Sequence, residues 1–181
     1  MILFFGPPGS GKSVQGELLV KRNNWDWLST GELLRKSSDP KILRLQATGE
    51  LISDELTNKV LSDSLSKINK SRNVVVDGYP RNPDQASWLE KYLPENGREI
   101  SCVIVFKVPK DELIRRLAGR GRPEDAPNVI KKRLEIYQKN TKPILNFFRQ
   151  KGIQIFEVDG VGEVKEVHER IQKTLQSCSL V

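Results

Sequence analysis

Apolar positions along the chain fall into two alternating patterns. Short runs rich in β-branched and aromatic residues recur at 1–5 (MILFF), 73–77 (NVVVD), 101–108 (SCVIVFKV) and 153–158 (IQIFEV), with a weaker one near 25–28. Most are apolar throughout rather than at alternate positions, which predicts strands buried on both faces of a parallel sheet. Between them the period lengthens. Leu56, Val60, Leu61, Leu65 and Ile68 form one stripe and Val164, Val167, Ile171 and Leu175 another, at the spacing of helices with one buried face. Strands alternating with helices predict an α/β architecture, a five-stranded parallel sheet between two helical layers. At 181 residues the chain is long enough for one such domain.

Two stretches break the alternation. Residues 29–60 carry helical signals and no strand, so they read as a helical insertion. Residues 119–128 (GRGRPEDAPN) hold two Gly, two Pro and charges of both signs with little to bury, the composition of a loop or short lid. The core is then 1–28, 61–118 and 129–181. No apolar stretch reaches the ~20 residues needed to cross a bilayer. The opening run has no basic flank and stops at Gly6, so it reads as a strand rather than a leader, and a cytoplasmic location is expected. Cys102, in an apolar run, and Cys178, in the tail, point to neither a disulfide framework nor a zinc site.

The formal charge of +7 is unevenly placed. Residues 105–151 hold 13 Lys/Arg against 5 Asp/Glu, and the remainder 17 against 18. The whole excess lies in one segment and implies a polyanionic partner: nucleic acid, an anionic membrane or a small phosphorylated ligand.

One motif narrows that choice. Gly6-Pro7-Pro8-Gly9-Ser10-Gly11-Lys12-Ser13 fits G-x-x-x-x-G-K-[ST], directly after the first apolar run and before a helical pattern at Val14, Leu18 and Leu19. Glycines let backbone N–H groups turn inward around phosphate oxygens, and the helix N-terminus adds partial positive charge. Lys12 is placed to bridge the outer phosphates and Ser13 to contact Mg²⁺. The fold class is therefore that of P-loop NTPases. Asp77 ends the strand 73–77, where it can hold Mg²⁺ through water, and Gly78 and Pro80 shape a turn that presents Arg81. An ordinary strand-to-helix turn capped by Asp77 accounts for that stretch alone equally well.

Five motifs in order carry a resemblance over nearly the whole chain. They are the P-loop, Ser29-Thr30-Gly31-Glu32-Leu33-Leu34-Arg35, Gly49-Glu50-Leu51-Ile52-Ser53-Asp54-Glu55-Leu56, Asp77-Gly78-Tyr79-Pro80-Arg81, and Lys132-Arg133-Leu134 followed by Tyr137, Thr141 and Pro143. Together they resemble the adenylate kinase family of nucleoside monophosphate kinases, in its short-lid form. The resemblance implies transfer of the γ-phosphate of Mg·ATP to AMP. It places Gly9, Ser10, Gly11, Lys12, Ser13 and Val14 on the ATP phosphates, Arg116 and Gly162 at the ATP base, and Arg120 on the phosphates from the lid. It assigns Thr30, Arg35, the backbone of Glu50, Leu51 and Ile52, then Gly78, Tyr79, Pro80, Arg81 and Gln85 to the AMP pocket. Arg122 and Arg133 would close over the acceptor phosphate and the migrating group. Thr30 and Gln85 resemble members that accept adenylate, where hydroxyl and carboxamide pair with the adenine edge.

The chain departs from the family pattern after Lys12, where Ser13-Val14 replaces Gly-Thr, and between Thr30 and Ile52, which is shorter and contains Pro40. The lid lacks metal-ligand cysteines, so structural zinc is not expected. No general base is needed, because an AMP phosphate oxygen is already an anionic nucleophile. Lys12, Arg81, Arg120, Arg122 and Arg133 are the expected catalytic set, ATP and AMP the expected partners, with neither nucleic acid nor membrane, and a monomer the expected state. The alternatives are a UMP/CMP kinase, or a weakened nucleotide- or RNA-binding protein on the same scaffold.

Overall fold

The computed structural model describes residues 1–37, 39–177 and 180. Among these, five strands form one sheet: β1 (Ile2–Phe5), β2 (Asp26–Ser29), β3 (Val74–Asp77), β4 (Cys102–Lys107) and β5 (Ile155–Asp159). All neighbours are parallel, in the spatial order β2, β3, β1, β4, β5. Eight helices accompany them among the described residues: α1 (Lys12–Asn23), α2 (Thr30–Arg35), α3 (Pro40–Ala47), α4 (Asp54–Leu65), α5 (Pro83–Glu95), α6 (Lys110–Ala118), α7 (Pro127–Gln150) and α8 (Val164–Ser177). None is long and apolar enough to cross a membrane. Cys102 is buried in β4; Cys178 lies outside the described residues.

The continuous apolar runs work as alternating faces. Leu3, Phe5, Val74, Val76, Val103 and Val105 pack one way, against Leu61 and Leu65 of α4, Ala86, Leu89 and Leu93 of α5, and Ile144, Leu145 and Phe148 of α7. Ile2, Phe4, Val75, Cys102, Ile104 and Phe106 pack the other way, against Leu19 of α1 and Val167, Ile171 and Leu175 of α8. Successive side chains of a strand point to opposite faces, so a strand covered on both must be apolar at every position. The weak run near 25–28 is the edge strand β2, whose Asp26 and Trp27 are only half-buried.

The stripes hold with two adjustments. Ile68 lies beyond the end of α4 and packs from the following turn. Val164 is the first residue of α8 and half-exposed, its carbonyl accepting from Gln15 Nε2 at 2.8 Å. In the 29–60 stretch, Ser29 Oγ accepts from Glu32 N at the start of α2. Pro40 stands at the first turn of α3, where a missing N–H costs nothing, behind Asp39, whose side chain accepts from Lys41 N. Leu34, Ile42 and Ile52 make a small cluster there with Leu56 and Val60, while the next turn of α4 belongs to the main core. One helix thus anchors the insertion to the sheet.

β1 lies between β3 and β4, with Phe4 opposite Asp77 in register. The loop leaving β1 therefore sits beside Asp77, in the crevice outside the carboxyl ends of the strands where open parallel sheets bind ligands. α1 approaches the sheet closely: a Cβ at Gly16 would lie 1.9 Å from the Trp27 ring. Gly16→Ala must displace that ring, and overpacking of this kind costs about 1–3 kcal/mol. Chemical denaturation followed by Trp fluorescence is expected to show the loss; an unchanged midpoint would mean the ring moves freely.

Candidate active site

Gly9 and Gly11 adopt the left-handed conformation, φ 85° and 92°, that side chains resist. A Cβ at Gly9 would also lie 2.9 Å from Leu117. Gly11 is the N-cap of α1 and has no side chain to cover the first N–H groups, which stay available to an anion. Lys12 folds back into the loop, donating to the carbonyls of Gly6 at 2.7 Å and Pro7 at 3.1 Å. Asp77 lies 3.9 Å from it and accepts from Ser13 Oγ at 3.2 Å. Burial lowers the Lys12 pKa, partly offset by Asp77 and reinforced by Arg133, Arg81 and Arg120.

The arginines converge on this loop from four elements. Arg81 follows β3, its Nε held by the Gly78 carbonyl at 2.7 Å. Arg35 ends α2, Arg120 and Arg122 lie in the 119–128 loop, and Arg133 stands on α7. With Lys12, Ser13, Val14, Asp77 and Arg116 they line one cavity of about 400 Å³. Burial pushes the Arg81 and Arg35 pKa values down, and burial with neighbouring Arg120 pushes Arg133 to about 10. A guanidinium at that value remains charged at neutral pH.

Two carboxylates organise these cations. The Asp125 side chain is 4% exposed and accepts from Arg120 Nε at 2.8 Å and the Arg122 backbone N–H at 3.2 Å, with Arg133 Nη1 at 3.6 Å. Burial alone would raise its pKa, but the Arg120 bonds and charge outweigh this and hold it below the usual range. Glu124, also buried, pairs with Arg35 at 3.3 Å, linking the loop to the helical insertion. Lys132 of α7 pairs with Glu50 at 3.1 Å and ties the insertion to that helix as well. The sequence alone allows Asp125 either to pair with Arg122 or Arg133 and position the lid or to sit in water; the structure buries it against Arg120, Arg122 N and Arg133, whereas nothing in the sequence singles out Glu124.

Other expected site residues stand as follows. Gly9, Ser10, Gly11, Leu51, Gly78, Tyr79 and Pro80 line the cavity. Gly162 lines an adjoining depression with Val14, Gln15 and Arg116, whose guanidinium is fixed by Glu112 at 2.6 Å and the Gly160 carbonyl at 3.0 Å. Thr30, Glu50, Ile52 and Gln85 do not line the cavity. Thr30 Oγ1 donates to the Asp77 carbonyl at 3.3 Å. The Gln85 carboxamide donates to Asp54 and accepts from Arg81 N, at 2.8 and 2.7 Å. His168 packs against Gln15, Trp25 and Trp27 join the core, and Trp88 stacks on Tyr92. Among the described residues no group of three or more His, Cys, Asp or Glu gathers as a metal site.

A family profile described as Adenylate kinase matches residues 4–153. The adenylate kinase of Xylella fastidiosa (strain M12) is 37% identical over 184 residues, covering 96% of this chain and 98% of the relative. That of Maricaulis maris is 36% identical over 185 residues, 97% and 98%. An archaeal adenylate kinase, from Pyrococcus horikoshii, is 33% identical over 211 residues, 96% and 94%.

A cavity that gathers this many cations should be relieved by polyanions. Pyrophosphate at 100 times its dissociation constant is expected to stabilise the chain by about 2.7 kcal/mol, read as a rise in melting temperature of several degrees. Lys12→Met should shrink the rise. No rise in the parent protein would mean that the cations do not act on a common ligand.

Proposed function

The chain belongs to the adenylate kinase family, and on that premise we propose that it transfers the γ-phosphate of ATP to AMP, reversibly, with the following division of labour. Gly9 to Val14 hold the ATP phosphates through backbone N–H groups and Lys12, which exchanges its bonds to the Gly6 and Pro7 carbonyls for phosphate oxygens. Arg116 and Gly162 flank the donor base. Arg35, Arg81, Arg122 and Arg133 bind the acceptor phosphate and the migrating group, and Arg120 reaches the donor phosphates. Thr30, Gln85 and the backbone of Glu50 to Ile52 surround the acceptor base. The single observation that carries this reading is the shared cavity, which the P-loop lysine and six arginines line together.

The oxygen pair Ser13 Oγ and Asp77 suits a hard cation that prefers oxygen ligands and keeps several waters. Mg²⁺ held there, with Asp77 acting through water, would supply neutralisation of the outer phosphates. The residues themselves provide alignment and a positive field, and the acceptor oxygen needs no base. Residues 119–128 serve as the lid and 29–60 as the acceptor-binding insertion. The Arg35–Glu124 pair draws the two together, and Lys132 of α7 pairs with Glu50 of the insertion, which would exclude water from the transfer. A monomer in the cytoplasm satisfies every element of this scheme.

The test is ADP formation from Mg·ATP with AMP, CMP, UMP and GMP in parallel. AMP is expected to give the highest kcat/KM, and Arg81→Ala to lower it by about 100-fold or more, the scale of losing one preorganised donor to transition-state charge. Chelation of Mg²⁺ should abolish turnover. Preference for UMP or CMP would move the chain to the pyrimidine acceptors, and ADP formation with none of the four would end the reading.

A further inference from the structure

Among the described residues, Arg116 is the arginine that lines both the main cavity and the adjoining depression around Gly162. It stands on α6 four residues after Glu112, the spacing that puts two side chains on one helix face. Its Nε donates to Glu112 Oε1 at 2.6 Å and its Nη2 to the Gly160 carbonyl at 3.0 Å. Those two nitrogens make one edge of the planar fork. Their acceptors belong to different elements, α6 and the loop after β5, so they fix the plane of the guanidinium as well as its place. Gly160 is itself seated: its N–H donates to the Lys107 carbonyl at 2.9 Å, and a Cβ there would lie 2.7 Å from Val108. Bonds made in the plane leave the flat faces of a guanidinium available for stacking.

Glu112 is held in turn. Exposed Arg115 donates to both of its oxygens at 2.8 Å, while Glu112 and Arg116 are mostly covered. The bonds from Arg115 and Arg116 bring its pKa down to about 2. A carboxylate depressed in this way keeps its pairing above its ordinary pKa and loses it only as pH falls towards 2, so the pair is intact near neutrality. A pair that served the helix surface alone would be worth little and would need no second acceptor from another element. Glu112 also lines the depression, beside the group it holds.

We propose that Glu112 is a positioning residue of the donor side, which sets the plane of Arg116 so that the base of the donor nucleotide meets a guanidinium face already in place. This rests on the assignment of Arg116 to the donor base. Glu112 acts through Arg116, and its contribution is to the binding of ATP rather than to the transfer step.

Initial rates with ATP varied at saturating AMP, and the converse, test this on the full chain and on Glu112→Ala, Glu112→Gln, Arg116→Ala and the Glu112→Ala, Arg116→Ala double variant. Glu112→Ala is expected to raise KM for ATP about three- to tenfold, the worth of one such bond, with kcat and KM for AMP unchanged. Glu112→Gln keeps an acceptor oxygen at the same reach and is expected to restore most of the loss. In the Arg116→Ala background Glu112→Ala should add nothing, because the group it positions is gone. An unchanged KM for ATP in Glu112→Ala, an equal rise in KM for AMP, no rescue by Glu112→Gln, or the full rise again in the Arg116→Ala background would each overturn the proposal. If Arg116→Ala itself left KM for ATP unchanged, the donor-base assignment would fail, and the proposal with it.

Discussion

The structure depends on holding seven cations in one crevice against their mutual repulsion. Lys12, Arg35, Arg81, Arg116, Arg120, Arg122 and Arg133 line a cavity of about 400 Å³. Most of these cations are held by protein acceptors: backbone carbonyls for Lys12 and Arg81, Asp125 for Arg120 and Arg133, Glu124 for Arg35. These acceptors are mostly groups a phosphate would outcompete, since a di- or triphosphate brings more charge at shorter range than a carbonyl dipole. The cations are thus preorganised by bonds that a phosphate can replace, a condition under which bound charge is strongly stabilised.

Sheet topology delivers these groups to one place. The adjacency of β1 and β3 brings the P-loop beside Asp77 and the turn that carries Arg81. The remaining cations come from outside the sheet, on the insertion, α6, the 119–128 loop and α7. Their convergence requires the insertion to meet both the 119–128 loop and α7, which it does through Arg35–Glu124 and Lys132–Glu50 respectively. Family membership and this convergence of cations therefore agree on phosphoryl transfer between nucleotides.

How much of this was legible in the sequence varies with the physics involved. Strands buried on both faces announce themselves as unbroken apolar runs, so β1, β3 and β4 were plain. β2, at the edge, was faint because Asp26 and Trp27 have one open side. The P-loop was legible because its glycines answer a backbone requirement at fixed positions. Asp125 was legible as one candidate partner of Arg122 or Arg133, but its burial and that of Glu124 were not, because burial of a loop carboxylate depends on which arginines arrive beside it from α2 and α7. The Gln85 carboxamide was legible as a base reader only by resemblance, and its bonds to Asp54 and Arg81 N were not visible at all.

The central claim is direct transfer between two nucleotides within a crevice closed to water. Following γ-labelled phosphate from ATP in the presence and absence of AMP tests it most directly. The account predicts that the label enters ADP formed from AMP, with two ADP produced per ATP consumed and little free phosphate when AMP is withheld. Release of the label as inorganic phosphate at the same rate with or without AMP would contradict it.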